Sequence, residues 1–216
     1  MNKMCRSAMI MGLAATVAVG FGCGKKSAED TERDWHTTTE TAQKYASKYP
    51  AAKPVIDDLT KQAQTDFDDA KKATGDAQAS KMQVAVDRLG KPLDVFKNYE
   101  TEVGKLDALL TDKEIMNSMS AGDFKPLESA GIAAKKKGCC LLMPNDKTCT
   151  DLQGTCPPPA PFANMGDLKA KVESAISDMQ AAEKPLAAKK PAKAAPAGSA
   201  APAAGSAKAA GSGSGK

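Results

Sequence analysis

With 216 residues, 42% of them apolar but only 4% aromatic, the chain has room for one domain whose core is built mainly from Ala, Leu, Val and Met. The formal charge of +4 is unevenly spread: residues 1–22 carry +2 and residues 184–216 carry +6, neither with an acid, which leaves −4 for residues 23–183. A mildly acidic body excludes nucleic acid as the expected partner.

The chain opens with Lys3 and Arg6, and the next charge is Lys25. Between them residues 8–21 form an apolar run of 14 residues, the length of a signal-peptide core and short of the ~20 needed to span a bilayer. Gly20 and Gly22 flank Phe21, and Cys23 follows. Small side chains at such a point let a signal peptidase approach the backbone closely.

This arrangement resembles the start of Gram-negative bacterial lipoproteins, whose lipobox ends in a small residue followed by a Cys. The matching positions are Gly22 and Cys23, and the polar stretch 24–30 comes next. Gly20 and Phe21 stand where that pattern usually has Leu and a small or β-branched residue. The resemblance covers about 24 residues and implies a signal peptide over 1–22, a linker over 23–30, and a covalent diacylglycerol plus an N-linked acyl chain such as palmitate on Cys23. It also implies an envelope location facing the periplasm, in the outer membrane because Gly rather than Asp follows the Cys. Ordinary cleavage leaving a free Cys23, or retention of residues 7–24 as a short anchor, are the alternatives. Each of them places the remaining chain outside the cytoplasm.

From residue 31 to 188 the apolar positions recur at steps of three and four, which predicts an all-α, antiparallel bundle of about five helices. The first helix is expected over 31–48, with Trp35, Thr39, Ala42, Tyr45, Ala46 and Tyr49 on one stripe. Pro54 suits the opening turn of the second, where a missing N–H has no intrahelical partner to lose. That helix places Ile56, Leu59, Ala63, Phe67 and Ala70 on one face. The third, over 76–111, carries Met82, Val86, Leu89, Leu93, Phe96, Tyr99, Val103, Leu106 and Leu110. Pro92 predicts a kink near 88–92, and the in-phase leucines on either side favour one helix over two. A fourth helix is expected to start with Asp123 as N-cap and to end at Lys135-Lys136-Lys137-Gly138. The last opens at Asn164 and shows Met165, Leu168, Val172, Ile176, Met179 and Leu186.

Six cysteines are present. Cys5 leaves with the signal peptide and Cys23 takes the lipid, so Cys139, Cys140, Cys149 and Cys156 remain. An even number in an oxidising compartment predicts two disulfides. A bond between adjacent residues is strained, so Cys139 and Cys140 are expected to reach different partners, Cys149 or Cys156, stapling a loop over 138–163. The gaps lack the paired spacing of zinc sites and no His lies near, so no metal is expected. There is no Cys-x-x-Cys for redox chemistry. Residues 189–216, rich in Ala, Pro, Lys, Gly and Ser, are expected to be a disordered tail.

Catalytic signatures are missing. The single histidine, His36, sits on a helix beside Trp35, and the acid pairs Asp57-Asp58 and Asp68-Asp69 read as a wet helix face. No phosphate loop, nucleophile elbow or His-Glu-x-x-His occurs. The expectation is a non-enzymatic envelope lipoprotein without further cofactor, acting as a scaffold or binding module. Its expected partners are the membrane, and then envelope proteins or anionic envelope polymers. The alternative is a periplasmic chaperone or stress-sensor bundle that binds apolar client segments. Residues 110–114, Leu-Thr-Asp-Lys-Glu, resemble the Leu-Thr-x-x-Gln motif of small helical periplasmic chaperones, with Glu in place of Gln.

Overall fold

The computed structural model describes residues 26–190, apart from Gln153, Pro159 and the side chain of Asp76. The expected signal peptide over 1–22, Cys23 and residues 191–216 of the expected tail therefore lie outside the described residues. Within them the chain is all-helical: α1 (Ala28–Lys48), α2 (Lys53–Lys71), α3 (Asp76–Leu110), α4 (Lys113–Ser118), α5 (Ala121–Leu142), α6 (Lys147–Asp151) and α7 (Met165–Ala187).

Helix starts follow their caps. Ser27 accepts a hydrogen bond from the Asp30 amide and donates its hydroxyl to the Asp30 carboxylate, so α1 begins three residues before the expected Thr31. The same exchange between Ser120 and Asp123 starts α5 at Ala121, which corrects the assignment of Asp123 as N-cap. Asp123 is the reciprocal acid of that box instead. Asn164 caps α7 through the Asp167 amide, as the sequence predicted. The two short helices α4 and α6 are additions to the expected five. Each is only about a turn or two long, too brief to show a period, yet each is capped by an Asp, Asp112 and Asp146.

Gly75, with φ 63°, turns the chain from α2 into α3. Over its 35 residues α3 runs about 52 Å and continues through Pro92 as one helix rather than two. The carbonyl of Arg88 loses its usual donor there, but Leu89, Leu93 and Phe96 on the same stripe are at most 2% exposed and hold both sides in register.

That long helix organises the molecule. Along its first half α1 runs parallel to it, with Lys26 beside Gln83, Tyr45 beside Phe96 and Lys48 on Glu100. Between them α2 descends, its Lys71 on Glu32 and its Arg88 partner being Asp66. Along the second half α5 descends and α7 ascends, packed against α3 and each other. Two three-helix units thus share α3, and one apolar core joins them, from Trp35 and Phe67 through Phe96 and Leu106 to Met179 and Leu186. The Ala51 amide bonds the Leu142 carbonyl at 3.2 Å, which ties the α1–α2 turn to the end of α5.

Lys135-Lys136-Lys137-Gly138 was expected to close the fourth helix, but α5 continues to Leu142. Gly138 is there for a different reason. A Cβ on it would sit 2.5 Å from Cε2 and 2.9 Å from the hydroxyl oxygen of Tyr99, a ring only 4% exposed. Glycine lets α5 lie close against α3, and so the stapled loop starts at Met143 rather than at 138. Gly138→Ala is expected to destabilise the protein by about 1–3 kcal/mol through overpacking, although alanine is the better helix former. Urea denaturation checks this; a gain in stability would show that the contact is slack.

Candidate functional site

Two constellations carry chemistry. The first is the cysteine staple. Cys139 pairs with Cys149 and Cys140 with Cys156, with Cα–Cα separations of 5.4 and 5.2 Å. Because α5 continues through both cysteines, neighbouring side chains leave it about 100° apart, and each reaches its own partner. Cys149 is fully buried on α6, and Met143 and Leu152 pack over the bridges as a small cluster of their own. Behind it Phe162 enters the main core, with the Lys171 ammonium 5.3 Å above its ring.

The second constellation went unseen in the sequence. Among the described residues Glu102 is the only charged one that is buried, at 5% exposure. It sits on α3 facing Glu183 on α7, and the Lys105 ammonium is 3.0 Å from its Oε2. The Oε1 atom of Glu183 is shut away from solvent with no donor reaching it. Burial first, then the negative field of Glu102 and a hydrogen bond with it, push the Glu183 carboxyl above the usual glutamate range, while Lys105 pulls the other way. A proton on Glu183, donated to the Glu102 carboxylate, resolves what two facing charges cannot. Glu102 and Lys105 also line a polar groove of about 310 Å³ with Asn98, Thr101, Glu173, Ile176, Ser177 and Gln180.

The signal for the pair was in the spacing. Glu102 lies three residues after Tyr99 and four before Leu106, and Glu183 lies four after Met179 and three before Leu186. Both occupy core positions of their stripes, where an acid demands a partner.

The remaining polar candidates lie on the outside. His36 is exposed, as are Asp58, Asp68 and Asp69, while Asp57 pairs with Lys53. Among the described residues no group of three or more metal-ligating side chains forms, and no helix is long and apolar enough to cross a membrane. A second groove, about 480 Å³, runs between α5 and α7 and is lined by Ala130, Ala133, Ala134, Ala181, Ala182 and Pro185, with the Lys137–Asp178 ion pair at its rim. Alanines and one closed ion pair offer no reactive group. No protein-family model, no curated protein and no solved structure matches the chain.

Proposed function

We propose that this chain is a bacterial envelope lipoprotein, held in the outer membrane by lipid on Cys23 and facing the periplasm, where it serves as a non-enzymatic helical scaffold or binding module. The observation that carries this reading is a closed, doubly disulfide-bonded bundle beginning five residues after that cysteine. Disulfides persist in oxidising compartments, so Cys139–Cys149 and Cys140–Cys156 support export. Five residues reach at most about 18 Å, so the lipid would hold the Ala28 end of the bundle close to the headgroups. The opposite end of α3 meets Lys189 and Lys190, where the Ser118 hydroxyl donates to the Lys189 carbonyl and Lys190 pairs with Asp112. Tether and tail thus leave from opposite ends of a body about 50 Å long. A net −4 over residues 23–183 gives the body no attraction to anionic headgroups, which favours a standing orientation.

The alternative client-binding reading draws little from the surface. Val84 and Met116 are the large hydrophobics exposed among the described residues, one on α3 and one on α4. Two isolated side chains make no apolar cradle.

Cell fractionation tests the proposal. Wild-type protein is expected in the membrane fraction, released by detergent but not by salt. Cys23→Ser, followed in the product cleaved ahead of residue 23, is expected to lose that attachment, since acyl chains contribute ~0.8 kcal/mol per buried CH₂. Unchanged membrane retention of the Ser variant would remove the lipid anchor from the account.

A further inference from the structure

We infer that Glu102 and Glu183 form a proton-operated latch between α3 and the last turns of α7: one shared proton closes it, and loss of that proton loosens the C-terminal end of the bundle.

The geometry sets up the conflict. The buried Glu102 carboxylate faces half-buried Glu183, whose Oε1 is shut from solvent, and a single cation, Lys105, lies against Glu102. With one proton present, the Glu183 hydroxyl donates to the Glu102 carboxylate and the pair carries one charge, balanced by Lys105. When the O–H bond of Glu183 gives its proton to water, two carboxylates face each other and one ammonium remains.

Among the described residues, Lys105 is the cation whose charge acts on Glu183. From α3 the facing groups are Glu102 and Lys105 themselves. From α5 the stretch that meets this end of α7 offers Ala130, Ala133 and Ala134. Nearby cations are engaged elsewhere: Lys135 with Asp107, Lys137 with Asp178 and Lys190 with Asp112. Glu173 lies further down α7 on the groove, and Lys184 is exposed.

What the latch holds is the end of α7. Ala182 and Leu186 are buried on either side of Glu183 and belong to the main core. Beyond them, the Ser118–Lys189 and Lys190–Asp112 contacts close the end of the bundle. Repulsion at Glu183 acts in the middle of this segment, so its loss of grip exposes Leu186 and frees the point from which residues 191–216 depart.

The direction is fixed by linkage. Glu183 stands higher when folded than its ordinary value of 4.5. Its contribution to stability is therefore complete below that ordinary value and is lost as pH rises through the raised one. Lowered carboxyls elsewhere, such as Asp112 and Asp167, act with the opposite slope, so the latch is read as a difference between variants.

This rests on the proposed function only for its setting, a compartment whose pH follows the medium; the chemistry holds wherever the chain folds, so its failure would leave the lipid anchor untouched. The test is thermal unfolding of the full-length protein in detergent from about pH 4 to about pH 8, for wild type and Glu183→Gln. Glutamine keeps the hydrogen bond to Glu102 and cannot ionise. Its melting temperature is expected to pull ahead of wild type as pH rises, by about 3–5 °C for each tenfold difference in proton affinity between the folded and unfolded carboxyl. Lys105→Met is expected to move the wild-type transition to higher pH, which a merely structural contact would not do. Parallel melting curves for wild type and Glu183→Gln at every pH would overturn the latch. Should that variant fail to fold, Glu102→Gln takes its place with the same two outcomes.

Discussion

Phe96→Ala is expected to lower stability by about 3–5 kcal/mol, the largest loss from a single side chain in this protein. Phe96 has no exposed surface, and its ring lies 5.0 Å from Tyr45 and 5.1 Å from Tyr49. Tyr49 in turn meets Tyr99 edge-on, and its hydroxyl donates to Glu100. Phe96 thus sits where α1 and α3 are pinned together, at the level where the two three-helix units meet. Two features push the effect toward the upper end. The core is poor in large side chains, with 5 Phe and 1 Trp in the chain, so no neighbour can swing in to fill the hole. The rings around it are also held by one another and by Glu100, which limits collapse onto the cavity. Urea unfolding should show a lower midpoint with an unchanged slope, since the loss acts on the folded state. A loss below ~1 kcal/mol would mean that the aromatic cluster is not the joint between the units.

Removing one disulfide by the double change Cys140→Ser and Cys156→Ser is expected to cost about 3 kcal/mol, the loop-closure value for a ring of this size. The shorter Cys139–Cys149 ring should give slightly less. The physical reason is that the stretch from Met143 to Asn164 has little else to order it. Its apolar contacts are Met143 and Leu152 over the sulfurs and Phe162 at its far end. The effect should be local first. Amide exchange is expected to rise across α6 and its flanks before α1, α2 and the first half of α3 respond, because the sulfurs form a cluster of their own that joins the main core through Met143. Uniform loss of protection over the whole chain would instead make the staple part of the global core.

These expectations draw on both levels of reading. The stripes Trp35–Tyr45, Ile56–Phe67, Met82–Leu110 and Leu168–Leu186 were legible because a helix buries every third or fourth residue, whatever its neighbours. Asn164 and Pro54 were legible because caps and first turns are local chemistry. Errors came where a residue had two physically sensible jobs. Gly138 after three lysines reads as a helix stop, yet its lack of a Cβ serves contact with Tyr99, a residue 39 positions away. Asp123 reads as a cap, but Ser120 three residues earlier completes the box. Glu102 and Glu183 are hidden in the sequence because an acid in phase with an apolar stripe reads as a wet-face residue until the packing of α3 on α7 brings the two together. Which cysteine pairs with which was likewise a property of α5 running on to Leu142, since that sets the directions in which Cys139 and Cys140 point.

The most direct measurement is mass spectrometry of the N-terminal peptide of protein taken from cell membranes. A lipid-anchored envelope protein predicts that the chain starts at Cys23, with a diacylglycerol thioether on its sulfur and an acyl group on its amine. An intact Met1 on soluble cytosolic protein would contradict the export, the anchor and the oxidised cysteines in one result.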